Sequence, residues 1–211
     1  KKCLLHVNMD ILVSYYNNKS YIDLLKCFKN LSDSSITYSI YNKSNEIIPN
    51  TYKLDNIGRE SDSYLHYIIE NYDKLNEYTL FLQDDVDNHI VNYQDFANLC
   101  FDIMKNKTSK FKIFNVRWRP GYAPISRTIV NGKLNLHTLP SNTSILDLCE
   151  YMNIKLPDVY TTETCAFMII HKNNILKHSK EFYVKLRKWL LLSKDYKNGV
   201  VLEHCWKIIF N

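Results

Sequence analysis

The run Ile11 to Tyr16 (ILVSYY) is apolar, β-branched and aromatic, and it stops at Asn17-Asn18. From Ser20 to Leu31 the apolar residues Ile22, Leu24, Leu25, Phe28 and Leu31 then recur at helical spacing, and Ile36 to Tyr41 (ITYSIY) forms a second strand-like run. Strand, helix, strand in this order limits the fold more than any other feature. Neighbouring parallel strands need a crossover connection, usually a helix. A parallel sheet covered by such helices leaves a ligand crevice at the C-terminal ends of its strands.

The rest of the chain continues the pattern. Asp55 to Glu60 (DNIGRE) reads as a loop with a Gly turn, and Ser61 as the N-cap of a helix carrying Tyr64, Leu65, Ile68, Ile69 and Tyr72. Thr79 to Leu82 (TLFL) has no charged interruption and suits a strand buried on both faces. A helix near Tyr93 to Lys105 and a strand at Phe111 to Val116 follow. Arg117 to Leu139 reads as an excursion over the crevice, with an Asn131-Gly132 hairpin turn. Cys165 to Ile170 is another buried strand, Asn173 to Leu192 a helix or pair of helices, and Leu202 to Phe210 a final amphipathic segment. The expectation is one α/β domain spanning 1–211, with a mostly parallel central sheet flanked by helices. A start without Met and an end at Phe210-Asn211, just after an apolar segment, read as a domain cut from a longer polypeptide.

The chain carries 45% hydrophobic residues with only 4 Gly and 5 Pro, which excludes linker-like and collagen-like classes. A net charge of +5 comes from dispersed lysines rather than a basic face, which places nucleic acid behind a small anionic ligand. The six cysteines show no C-x-x-C pair and read as reduced, buried thiols. No apolar run has transmembrane length, and no signal peptide is apparent, so the expectation is a cytoplasmic protein.

Asp85-Val86-Asp87 follows the buried Thr79–Leu82 run. Two carboxylates one residue apart at a strand's C-terminal end suit a hard divalent cation, Mn²⁺ or Mg²⁺, which neutralises the charge growing on a departing diphosphate. An Asp-x-Asp in a solvated loop would look the same in isolation, and its place after a buried strand is what gives it weight.

With that motif, the chain resembles the glycosyltransferases of the Rossmann-like GT-A fold. Tyr41-Asn42-Lys43, Asn56-Ile57-Gly58-Arg59-Glu60 with Tyr64-Leu65 and Ile68-Ile69, Phe81-Leu82-Gln83 and His89 are similar to an uncharacterised GT-A-like family of fungi, bacteria and large DNA viruses. Phe167, Glu181-Phe182-Tyr183, Trp189 and the stretch Glu203 to Phe210 extend the likeness. The Asn/Lys/Tyr-rich composition and small size are also similar to glycosyltransferase domains of chlorella-virus capsid-glycan proteins, which implies a host cytoplasm as location. The resemblance implies that Ser14, Tyr15, Tyr16 and Asn17 contact the nucleotide. It further implies that Asp85 and Asp87 contact ribose, metal and sugar phosphate, and that Glu203 or His204 completes the metal site or faces the acceptor. The extra Asp84 leaves open which two of the three aspartates are ligands.

Other positions carry two readings each. Tyr15 and Tyr16 are strand-end packing or a base-stacking platform. Lys43 is a turn lysine or a phosphate contact, and Arg59 either clamps Glu60 or binds phosphate. His89 reads as a loop histidine. Glu163 is a cap or a carboxylate near the anomeric carbon, and Trp118 packs in the core or stacks on an acceptor sugar. The combined expectation is transfer of a sugar from a nucleoside diphosphate sugar, a UDP-sugar foremost, to a glycan or glycoprotein hydroxyl. Glu163, Glu203 and Asp84 are its candidate bases. A non-catalytic glycan-binding domain and a metal-dependent phosphoryl or nucleotidyl transferase are the alternatives.

Overall fold

The computed structural model describes residues 8–31, 35–114, 118, 120, 126–134, 144–194 and 196–211. Strand β1 (Met9–Tyr15) leads into helix α1 (Tyr21–Leu31) and β2 (Ile36–Asn42), the expected opening unit. A two-residue edge strand β3 (Tyr52–Lys53), helix α2 (Arg59–Asn71) and β4 (Tyr78–Gln83) come next. A 3₁₀ turn at Val86–Asn88 precedes α3 (Tyr93–Asn106) and β5 (Phe111–Phe114). Strand β6 (Ser126–Val130), α4 (Leu146–Met152), β7 (Val159–Glu163) and β8 (Phe167–His171) follow. The chain ends in α5 (Lys172–Ile175), α6 (Lys180–Leu190), α7 (Lys197–Glu203) and α8 (Trp206–Phe210).

The main sheet has the order β3-β2-β1-β4-β8-β5. Strands β1 to β4 pair in parallel, whereas β8 runs antiparallel to both β4 and β5. Every residue of β1 is buried, as a central strand covered on both faces requires. Helix α1 packs on α3, and α2 packs on α6, α7 and β1. The fold is therefore mixed α/β with a mainly parallel sheet flanked by helices. Among the described residues no helix is long and apolar enough to cross a membrane. All five described cysteines, Cys27, Cys100, Cys149, Cys165 and Cys205, are free.

Several local expectations change. Helix α2 begins at Arg59, so Ser61 lies inside it, buried, rather than capping it. The start is set by backbone: Gly58 (φ 71°) and Arg59 (φ 54°) both take the left-handed conformation and turn the chain into the helix. At Gly58 a Cβ would fall 2.9 Å from Leu190 Cδ2. Gly58→Ala is expected to cost about 1–3 kcal/mol, read as a lower thermal midpoint, because it adds backbone strain to a clash; an unchanged midpoint would show that the turn relaxes freely.

The Asn131-Gly132 turn is formed, with φ of 48° and 69° and Lys133 N–H donating to the Val130 carbonyl. It ends β6, which pairs with β7 in a small second sheet. Residues 115–117, 119, 121–125 and 135–143 lie outside the described residues. Trp118 is buried between Phe96 and Phe114 and packs in the core rather than on a sugar.

Candidate functional site

In the sheet, β2 and β3 lie to one side of β1 while β4 lies to the other. Connections that diverge in this way open a crevice above the C-terminal ends of β1 and β4. A crevice of about 300 Å³ is found there, lined by Ser14, Tyr16, Asn17, Lys43, Asn56, Arg59, Glu60, Gln83, Asp84 and Asp85. A second cavity of about 450 Å³ shares Tyr16, Asn17, Lys43 and Asn56 and extends along Ser44 to Glu46.

Strand alternation sorts the residues at the end of β1. Ser14 turns toward α2, its hydroxyl 2.9 Å from that of Ser63. Tyr15 points the other way and is fully buried, edge-on to Tyr21, with its hydroxyl donating to Glu46 at 3.1 Å. Tyr15 is thus a packing residue and not a nucleotide contact. Tyr16 is half exposed and offers its ring to the crevice.

Asp84 is not a metal ligand in waiting. Its Oδ2 accepts the backbone N–H groups of Tyr16, Asn17 and Asn18 at 2.8, 2.8 and 2.7 Å. A carboxylate at the focus of three N–H dipoles fixes the β1–α1 loop against β4. Lys43 is likewise committed. Its ammonium is buried and donates to the carbonyls of Ile57 and Arg59 at 2.6 and 2.8 Å, and to Asp62 at 3.4 Å. An ammonium has three hydrogens, and these three acceptors match them, so Lys43 serves as a clamp on the 57–62 segment at the wall of the crevice. Arg187 holds the other Asp62 oxygen at 2.7 Å, and together the three charges pin the loop that carries Gly58 and Arg59.

Arg59 is the cation that the crevice keeps. Its guanidinium bonds Glu60 through Nε at 3.3 Å and stands 3.9 Å from Glu203. The clamp on Glu60 is formed, and Arg59 also lines the crevice. Its aliphatic stem lies over Gly199 of α7, where a Cβ would come within 3.0 Å. Glu203, the last residue of α7, is largely shielded from solvent. Burial first, and then the Glu60 carboxylate, push Glu203 up to about 7 against the pull of Arg59. One Glu60 oxygen is itself buried with no hydrogen-bond partner among the described residues.

The two aspartates of the Asp-x-Asp part company. Asp85 lines the crevice, its Oδ1 3.7 Å from His89 Nε2. Burial works against its charge, yet His89, Asn88 and its own backbone N–H together outweigh that and hold the carboxyl below its ordinary range. Asp87 instead accepts from Ser20 at 3.0 Å and Asn18 at 3.4 Å, and borders a cavity lined by residues of the 87–94 segment. The expectation that both carboxylates point into one crevice is not met.

His204 turns inward. It is buried, and its Nδ1–H donates to the Val200 carbonyl at 2.8 Å. No three His, Cys, Asp or Glu side chains gather as a metal site among the described residues, so the Asp85, Asp87 and His204 set is not assembled. Glu163 ends β7 and pairs with Lys207 at 3.4 Å beside Phe111 and Asn211, in a different cavity. It is not brought to the crevice. Asn56 and Gln83, which do line the crevice, fell within resembling strings but carried no chemical signal of their own.

Residues 25–211 match the model of a family described as a protein of unknown function (DUF3431). No curated protein and no solved structure matches the chain.

Proposed function

Since the chain belongs to the DUF3431 family, whose description carries no activity, we propose its function from the crevice: a glycosyltransferase of GT-A type that takes a sugar from a UDP-sugar. The observation that carries this reading is the crevice at the β1/β4 divergence, where Asp85 and Arg59 face the same space. That is where open α/β sheets bind nucleotides.

A hard cation that arrives with its ligand would meet one carboxylate in the crevice, Asp85, while Asp87 borders the neighbouring cavity with one oxygen outside the Ser20 and Asn18 bonds. Mg²⁺ and Mn²⁺ are commonly held by one or two carboxylates, with water and substrate phosphate completing the shell. When bound, such a cation neutralises charge on the leaving diphosphate. Arg59 adds a fixed positive charge in the same crevice, and Tyr16 presents a ring for the base.

Of the three candidate bases, Asp84 is consumed by backbone N–H groups and Glu163 lies elsewhere, which leaves Glu203. In the proposed reaction an acceptor hydroxyl oxygen bonds the anomeric carbon. The bond from that carbon to the diphosphate oxygen breaks, the electron pair leaves with the diphosphate, and the hydroxyl proton goes to Glu203. The acceptor is a glycan or glycoprotein hydroxyl.

The test is calorimetry with UDP and Mn²⁺, followed by UDP-sugar turnover. Asp85→Asn is expected to lower kcat/KM about 10²-fold and to weaken Mn²⁺ dependence, with Asp87→Asn milder because its loop bonds survive as amide contacts. No binding of UDP with Mn²⁺ at millimolar concentration, or tight binding of a polynucleotide instead, overturns the reading.

A further inference from the structure

His89 is held by more contacts than a loop histidine needs. Its backbone N–H donates to Val86, and its carbonyl accepts from Trp118 at 2.6 Å. The ring stacks on Phe167, with centroids 4.5 Å apart and planes 25° apart. Its Nδ1 lies 3.7 Å from Cys165 Sγ, and its Nε2 lies 3.7 Å from Asp85.

The direction of these contacts follows from Cys165. That sulfur already accepts the Phe167 N–H at 3.5 Å. Burial pushes the thiol up to about 12, so the sulfur keeps its hydrogen. A buried S–H seeks an acceptor, and Nδ1 is the ring nitrogen within reach. A ring that accepts at Nδ1 carries its proton at Nε2, on the side of Asp85.

We infer that His89 is a positioning residue for Asp85, fixed by the Cys165 thiol and the Phe167 ring as the Nε2–H tautomer, so that its N–H is directed at the carboxylate facing the crevice. Phe167 N–H, Cys165 thiol, His89 ring and Asp85 carboxylate then form one directed series from the start of β8 to the loop after β4. Groups that orient a metal-binding carboxylate in this way restrict its rotamers before the ligand arrives. The inference rests on the glycosyltransferase reading for its purpose, but the tautomer is a property of the unliganded protein.

Two measurements decide it. Imidazole ¹⁵N NMR of the unliganded protein is expected to show His89 as the Nε2–H tautomer, and Cys165→Ala is expected to lose that preference. Mn²⁺ titration in the presence of UDP, followed by electron paramagnetic resonance, is expected to show a Kd raised about 10- to 100-fold in His89→Phe. The phenyl ring keeps the stack on Phe167 and lacks the N–H; His89→Gln, which returns an N–H donor, recovers part of the loss. An Nδ1–H tautomer, or Mn²⁺ affinity unchanged in His89→Phe, overturns the inference. If wild-type protein binds no Mn²⁺ with UDP, the glycosyltransferase reading fails, and the tautomer read on the metal-free protein still decides the series.

Discussion

Glu203→Gln is expected to lower kcat by about 10² to 10⁴-fold, the range for losing a general base, and at the same time to raise the melting temperature at pH 8. The two effects have one origin. The ordinary carboxyl value is 4.5, and burial and Glu60 push the folded one to about 7. Between those values the folded state binds more protons than the unfolded state, so stability falls as pH rises. The contribution is complete below pH 4.5 and gone above about 7, where the folded protein holds an ionised, shielded carboxylate beside Glu60. An amide carries no such charge, and the gain at pH 8 is on the order of 2 kcal/mol. In the wild type, kcat/KM is expected to rise with pH through about 7 as the base ionises. Thermal melts across pH with matched kinetics check both limbs. Wild-type turnover in the variant would remove Glu203 from the mechanism, and a melting temperature that tracks wild type at every pH would show that its carboxyl is not perturbed.

Asp84→Ala is expected to destabilise the fold by about 3–4 kcal/mol, because the N–H groups of Tyr16, Asn17 and Asn18 lose their shared acceptor together. For a domain of this size that lowers the melting temperature by about 10 °C. Asp84→Asn keeps one acceptor oxygen and is expected to lose less than half as much. A metal ligand would behave in the opposite way, with activity lost and stability spared. Differential scanning calorimetry of both variants without metal separates the roles, and an unchanged midpoint in Asp84→Ala would show that the loop does not depend on this carboxylate.

The parts of the fold that were legible in the sequence are those set by local periodicity. The β1-α1-β2 unit, β4 and the Asn131-Gly132 turn each rest on side chains a few residues apart, and each formed close to its expected place. The site was less legible because its residues compete for partners across the chain. Lys43 has the right charge and a strand-end position, but carbonyls from the 57–59 segment absorb it. Asp84 sits beside Asp85 in sequence and both line the crevice, yet Asp84 is taken up by backbone N–H groups and Asp85 stands beside His89. Adjacent residues with the same carboxyl group thus take different roles through contacts with residues some seventy positions away. Glu203 was singled out through resemblance, and its setting beside Arg59 and Glu60 emerges only when α7 meets α2. Cys165 gave no signal, since a buried cysteine in a strand is an ordinary core residue.

The position of β8 has a consequence for how the chain is made. It separates β4 from β5, although both precede it in the sequence. Until β8 is synthesised, β4 has no partner on that side and leaves an unpaired apolar edge on the nascent chain. Closing the sheet must then pay for a long loop, which slows folding and lengthens the exposure to aggregation. Glu203 leaves the ribosome later still. Helix α7, which carries Glu203, can therefore dock on α2 only after the segment that fills this gap has been made.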